Sequence, residues 1–178
     1  MIAAPEGAQP LAYARRTVAA LIAFTLIGSV AAEKVPTDPS PKLSPSEVIS
    51  AQLHALKHNN DPEPDAGIRT AFRFASPANQ SQTGPVERFI RMVKSEDYAA
   101  MLNYQSDIRS DVTVHEGAAR QKVTLIDVAG KHATYVFILS TQTDPPCKGC
   151  WMTDKVFPVD NPVKGFQIAD IQRAIDAD

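Results

Sequence analysis

The sequence has no excess of charge of either sign. Its 18 lysines and arginines nearly balance its 20 aspartates and glutamates, for a formal net charge of −2. No basic field is available to hold nucleic acid, which excludes nucleic-acid partners. Cysteine is scarce, with two residues, so the fold is not a disulfide scaffold. Common catalytic signatures are missing. There is no G-x-S-x-G elbow, no G-x-G-x-x-G loop and no phosphate loop. Residues 61–65 (DPEPD) alternate acids, but their prolines and the missing distal glutamate exclude a calcium loop. Nothing in the chain calls for a cofactor.

Long apolar runs are missing too, apart from one. Residues 17–32 read TVAALIAFTLIGSVAA without a charge, follow Arg15-Arg16, and end on Val30-Ala31-Ala32. A positive flank, an apolar run and small terminal residues mark a secretory signal peptide over residues 1–32, with the cut before Glu33. The run is shorter than the roughly 20 residues of a spanning helix, so a short membrane anchor is the second reading. A membrane is a partner only if this segment is retained. The expected destination is the periplasm or the exterior, or the thylakoid lumen in a photosynthetic organism. Losing Arg15, Arg16 and Glu6 moves the net charge to −3. The remaining chain is long enough to bury a real core.

Residues 33–45 (EKVPTDPSPKLSP) hold four prolines and read as an extended tether. From Ser46 to about His58, Val48, Ile49, Leu53 and Leu56 fall on one helical face. NNDPEPD (59–65) ends that helix, and residues 66–74 predict a second. SPANQSQTGP (76–85) reads as a turn-rich loop. Pro85 can open a third helix over residues 86–94, and residues 95–102 predict a final helical turn. Beyond Asn103 the period changes. Residues 112–114, 121–128, 133–141 and 151–157 are strand-like, separated by glycine- and proline-bearing breaks. YVFIL (135–139) is apolar on both faces, as a covered central strand would be. These runs predict an α+β domain over residues 46–160, with N-terminal helices packed on a curved antiparallel sheet of about four strands. Residues 161–178, with Phe166, Ile168, Ile171 and Ile175, predict a C-terminal tail or docking helix.

Three segments carry a family resemblance. They are VISAQLHALKHNNDPEPDAGIRTAFRFASPANQSQTGPVERFIRMV (48–93), YVFILS (135–140) and GCWMTDKV (149–156). Together they resemble an uncharacterised family, a domain of unknown function, of small proteins from bacteria and photosynthetic lineages including plants. The resemblance covers residues 46–158 and implies a cone-shaped fold similar to nuclear transport factor 2. It implies no activity, and fold alone does not settle function.

Cys147-Lys148-Gly149-Cys150 is the most specific local signal. In an exported chain it predicts a disulfide at a hairpin tip, with redox and metal roles as alternatives. His54 and His58 share a helix face, but they lie opposite the apolar stripe, on the expected solvent side, so no metal site is expected. His115 and His132 flank turns and are expected to be solvated. In a cone fold a ligand sits between the helices and the concave sheet face. The aromatic candidates for its wall are Phe72, Phe74, Phe89, Tyr104, Phe137 and Trp151. The polar candidates are Arg73, Asn79, Arg88 and Asp154. Strand alternation places Trp151, Thr153 and Lys155 on one face and Met152, Asp154 and Val156 on the other. An inward Asp154 would need Arg73 or Arg88 as partner.

The leading expectation is an exported, non-enzymatic module binding a small ligand or a protein. The alternatives are a small enzyme using an acid or base in the cone, or a thiol–disulfide protein. The exposed sheet face is a candidate for homodimerisation. A closed core favours an interaction protein, whereas an open cavity holding a buried charge favours an enzyme.

Overall fold

The computed structural model describes residues 34–159. The expected signal segment and the C-terminal tail or docking helix lie outside the described residues.

Helix α1 (Pro45–Lys57) starts on a capping box. The Ser44 hydroxyl accepts the Glu47 N–H, and the Glu47 carboxylate accepts the Ser44 N–H at 2.7 Å. Its buried face carries Val48, Ile49, Gln52, Leu53 and Leu56. Helix α2 (Ala66–Arg73) follows a joint built from the NNDPEPD string. Asn59 is 2% exposed, and its Oδ1 accepts the Ile68 N–H at 3.1 Å while its Nδ2 donates to Asp65. The Asn59 carbonyl accepts the Gly67 N–H at 3.0 Å. At Gly67 the two helices touch: a Cβ there would stand 2.0 Å from the Ala55 carbonyl oxygen.

Helix α3 (Pro77–Thr83) occupies the stretch expected as loop. Ser76 caps it through the Asn79 N–H and Pro77 opens it, but none of its residues is buried, so it lacks the apolar period of its neighbours. Helix α4 (Val86–Val93) packs Phe89 against Phe72 of α2, ring centroids 5.1 Å apart. A 3₁₀ turn (Ala99–Met101) leads into the sheet.

The sheet has five antiparallel strands rather than about four: β1 (Ser106–Arg109), β2 (Thr113–His115), β3 (Ala118–Ile126), β4 (His132–Thr141) and β5 (Trp151–Pro158). Its order is β1-β3-β4-β5, with β2 also paired to β3. Four helices against an open antiparallel sheet make this an α+β fold. Val123, Leu125, Tyr135, Phe137 and Leu139 face the helices and meet Ile49, Leu53, Ile68 and Phe74 in one core.

Strict alternation fails on β5. Thr153 pairs with Leu139 and Lys155 with Ile138, so Asp154 is an extra residue in a β-bulge. Thr153 therefore points with Leu139 to the helices, and Val156 with Phe137 does the same. Trp151, Thr153 and Lys155 do not share one face as expected. Thr153 is fully buried and ties three elements together. Its hydroxyl accepts from Gln52 Nε2 at 2.7 Å, its N–H donates to the Phe74 carbonyl, and its own carbonyl accepts from the Ser76 N–H and Asn79 Nδ2.

Candidate functional site: the strap groove

The space between helices and sheet is filled by Phe74, Tyr135, Phe137 and their neighbours. Among the described residues its buried polar side chains are Gln52, Asn59, Ser76, Gln121 and Thr153, none of them charged. Burial pushes the Tyr135 phenol up to about 12 and raises Tyr98 and Tyr104 as well, so these hydroxyls are structural donors at neutral pH. The Tyr135 hydroxyl donates to the Asp97 carbonyl, and that of Tyr104 to the Leu53 carbonyl and Asp107.

The residues expected to line a pocket are dispersed. Arg73 lies on an exposed face, where its guanidinium meets the Asp38 carboxylate at 2.9 Å and the Thr37 carbonyl at 3.0 Å. Arg88 is exposed on α4, its stem against Gly84. Asn79 is spent on the Thr153 carbonyl. Tyr104 is buried beneath α1, and Trp151 and Asp154 are half-buried on β5. Neither arginine bonds Asp154 among the described residues, so no inward acid–base pair forms. Phe72 and Phe89 are partly buried between α2 and α4, while Phe74 and Phe137 belong to the core.

Cys147 and Cys150 are joined by a disulfide in the loop between β4 and β5. Cys150 is fully buried. The Cys150 N–H donates back to the Cys147 carbonyl, and the Cys150 carbonyl accepts the Gln142 N–H. The bridge stiffens this turn.

A concave site does exist, elsewhere. The proline-rich segment expected as a tether packs on the helices. Arg73 holds Thr37 and Asp38, and Leu43 packs against the core. Residues 34–37 thereby form a strap, and a half-open groove of about 480 Å³ runs beneath it. Ala51, Ala55, Ala66 and Gly67 of α1 and α2 line it with small side chains. Its polar wall is Lys34, His54, His58 and Asp61, with Thr37 and Thr70 beyond. The histidines are exposed, as expected, and they also line this groove. Their rings lie 4.5 Å apart at 41°, and His58 Nδ1 donates to the His54 carbonyl at 2.9 Å. Burial, then the neighbouring His58 and Lys57 charges, holds the His54 imidazole below its ordinary range. The helical spacing of His54 and His58 was visible in the sequence. The wall opposite them was not, because it depends on where the strap lies.

Residues 42–162 match the family described as a domain of unknown function, DUF4864. The chain belongs to that family. No curated protein and no solved structure matches it. Within this DUF4864 domain, the NND-P-PD-G string serves as the α1–α2 joint, and the Thr153 region of GCWMTDKV serves as the tie between β5 and the helices. Both motifs have architectural roles.

Proposed function

We propose that this protein is an exported, non-enzymatic module that binds a small ligand in the strap groove. The observation that carries the reading is the closed interior. The volume in which a cone-shaped enzyme would keep its acid or base is packed, and no charged side chain is buried among the described residues. The groove outside that core is of the size ligand sites have, with an apolar lining and a few polar groups at the rim. The thiol–disulfide alternative is less well supported, because a fully buried Cys150 is poorly placed for exchange.

Binding is tested by ligand-observed NMR with a fragment library on the purified protein and on Thr70→Trp, which fills the groove. Hits that vanish in the variant support the reading. Hits that persist, or no hits at all, overturn it. Export is tested by the intact mass of protein recovered from its own cells. A chain beginning at Glu33 is expected, and one retaining residue 1 makes the apolar run an anchor.

A further inference from the structure

We propose that the strap groove takes a late divalent transition-metal ion, chelated by His54 and His58 beside Asp61. The inference rests on reading the groove as a binding site, and it names the class of ligand.

Three observations converge on it. First, the two histidines stand one helical turn apart on α1 and their rings already lie side by side, with centroids 4.5 Å apart. Two imidazoles sharing one tetrahedral ion, at roughly 2.0 Å from nitrogen to metal, have centroids about 5 Å apart.

Second, the His58 ring is already oriented. His58 Nδ1 donates to the His54 carbonyl, which fixes the ring and leaves the lone pair on Nε2. Metal-bound histidines are commonly oriented by such a bond from the other ring nitrogen. No hydrogen bond ties the His54 ring among the described residues.

Third, the surroundings admit a cation with its waters. Asp61 supplies an acid in the same groove, and the small side chains of Ala51, Ala55 and Gly67 leave room. Lys34 and Lys57 oppose a cation, and Asp61 opposes an anion, so charge alone decides little. The pair of imidazoles, one helical turn apart with their rings side by side, decides for a metal. Among the described residues no three His, Cys, Asp or Glu side chains are grouped to hold a metal ion, so Asp61 does not join the pair as a third ligand. Two histidines with water in the other positions make an open, exchangeable site rather than a structural one. Imidazole donors select copper, nickel and zinc over magnesium and calcium, with copper(II) the tightest.

The test is calorimetric titration of the purified protein, in a non-chelating buffer, with Cu²⁺, Ni²⁺, Zn²⁺ and Mg²⁺. One Cu²⁺ per chain is expected, with Ni²⁺ and Zn²⁺ weaker and Mg²⁺ silent. His54→Gln and His58→Gln should each weaken Cu²⁺ about tenfold or more, and Asp61→Asn less. A His115→Gln/His132→Gln double variant should bind as the parent does. All four imidazoles are exposed, so these variants should fold, as far-UV circular dichroism will verify. Cu²⁺ binding that is absent, or indifferent to His54 and His58, overturns the proposal. If fragments still occupy the groove in that case, the binding reading survives without the metal. If Cu²⁺ binds while no fragment does, the small-molecule reading falls alone.

Discussion

Replacing Gly67 with alanine should force α1 and α2 apart. The added Cβ would stand 2.0 Å from the Ala55 carbonyl oxygen, 2.7 Å from Asn59 Cα and 2.8 Å from the Ala55 carbonyl carbon. All three are backbone atoms, so no side-chain rotation relieves the clash. The helices must separate by about 1 Å for ordinary contact to be restored. Overpacking of this kind costs about 1–3 kcal/mol. Weakening the Gly67 N–H bond to the Asn59 carbonyl adds about 1 kcal/mol, and the better helix propensity of alanine returns about as much. The net loss should be about 1–3 kcal/mol, or about 4–12 °C in Tm. Urea unfolding followed by the fluorescence of Trp151, the single tryptophan, measures it. Gly130→Ala provides the contrast. Gly130 has a φ of 78° and nothing within 4 Å, so only the left-handed backbone, about 1 kcal/mol, is charged there. A Gly67→Ala protein within about 0.5 kcal/mol of the parent would refute the close crossing.

Thr153→Val should destabilise by about 1–3 kcal/mol, because the amide of buried Gln52 loses its 2.7 Å partner; chemical denaturation checks this, and an unchanged midpoint would contradict the tie. Asn59→Ala removes the cap on Ile68 and the link to Asp65, and should cost about 2 kcal/mol by the same assay. Reducing Cys147–Cys150, which closes a loop of separation three, should cost no more than about 2 kcal/mol and leave the far-UV spectrum intact. His54 and Asp65 contribute to the acid response. His54 is held below 6.5 in the fold, so the unfolded chain takes up its proton first, and stability should fall as pH drops through the region just below 6.5; His54→Gln should flatten that slope. Asp65 is held below 3.8, first by its bond to Lys94, so its contribution is present above that value and lost below it; Lys94→Met should move the acid unfolding midpoint upward.

Elements with strong periodicity were legible. The apolar stripe of α1 and the doubly apolar β4 stand where the pattern placed them, since burial on a regular lattice imposes a regular sequence. Helix α3 escaped because it buries nothing, although Ser76, Pro77 and Gly84 mark its ends. Strand β1 escaped because Ile108 stays exposed and its other three residues are polar. The site was harder. Arg73 reads as a pocket cation by residue type, yet Asp38, 35 positions earlier, claims it on the surface. Counting puts Asp154 on one face with Met152 and Val156, and a one-residue bulge defeats the count. The groove needs the strap laid across two helices, a tertiary event that proline content alone does not encode.

The bulge at Asp154 also acts as a change of reading frame within a strand. Upstream of it, Thr153 is in phase with Leu139; downstream, Val156 is in phase with Phe137. Deleting Asp154 alone would leave Thr153 opposite Leu139, Lys155 opposite Ile138 and Val156 opposite Phe137, a ladder with regular alternation restored. Thr153 is anchored to α1, to Phe74 and to the start of α3, so the upstream half keeps its place. Removing one half-exposed residue should therefore straighten the strand and do less damage than most substitutions inside the core.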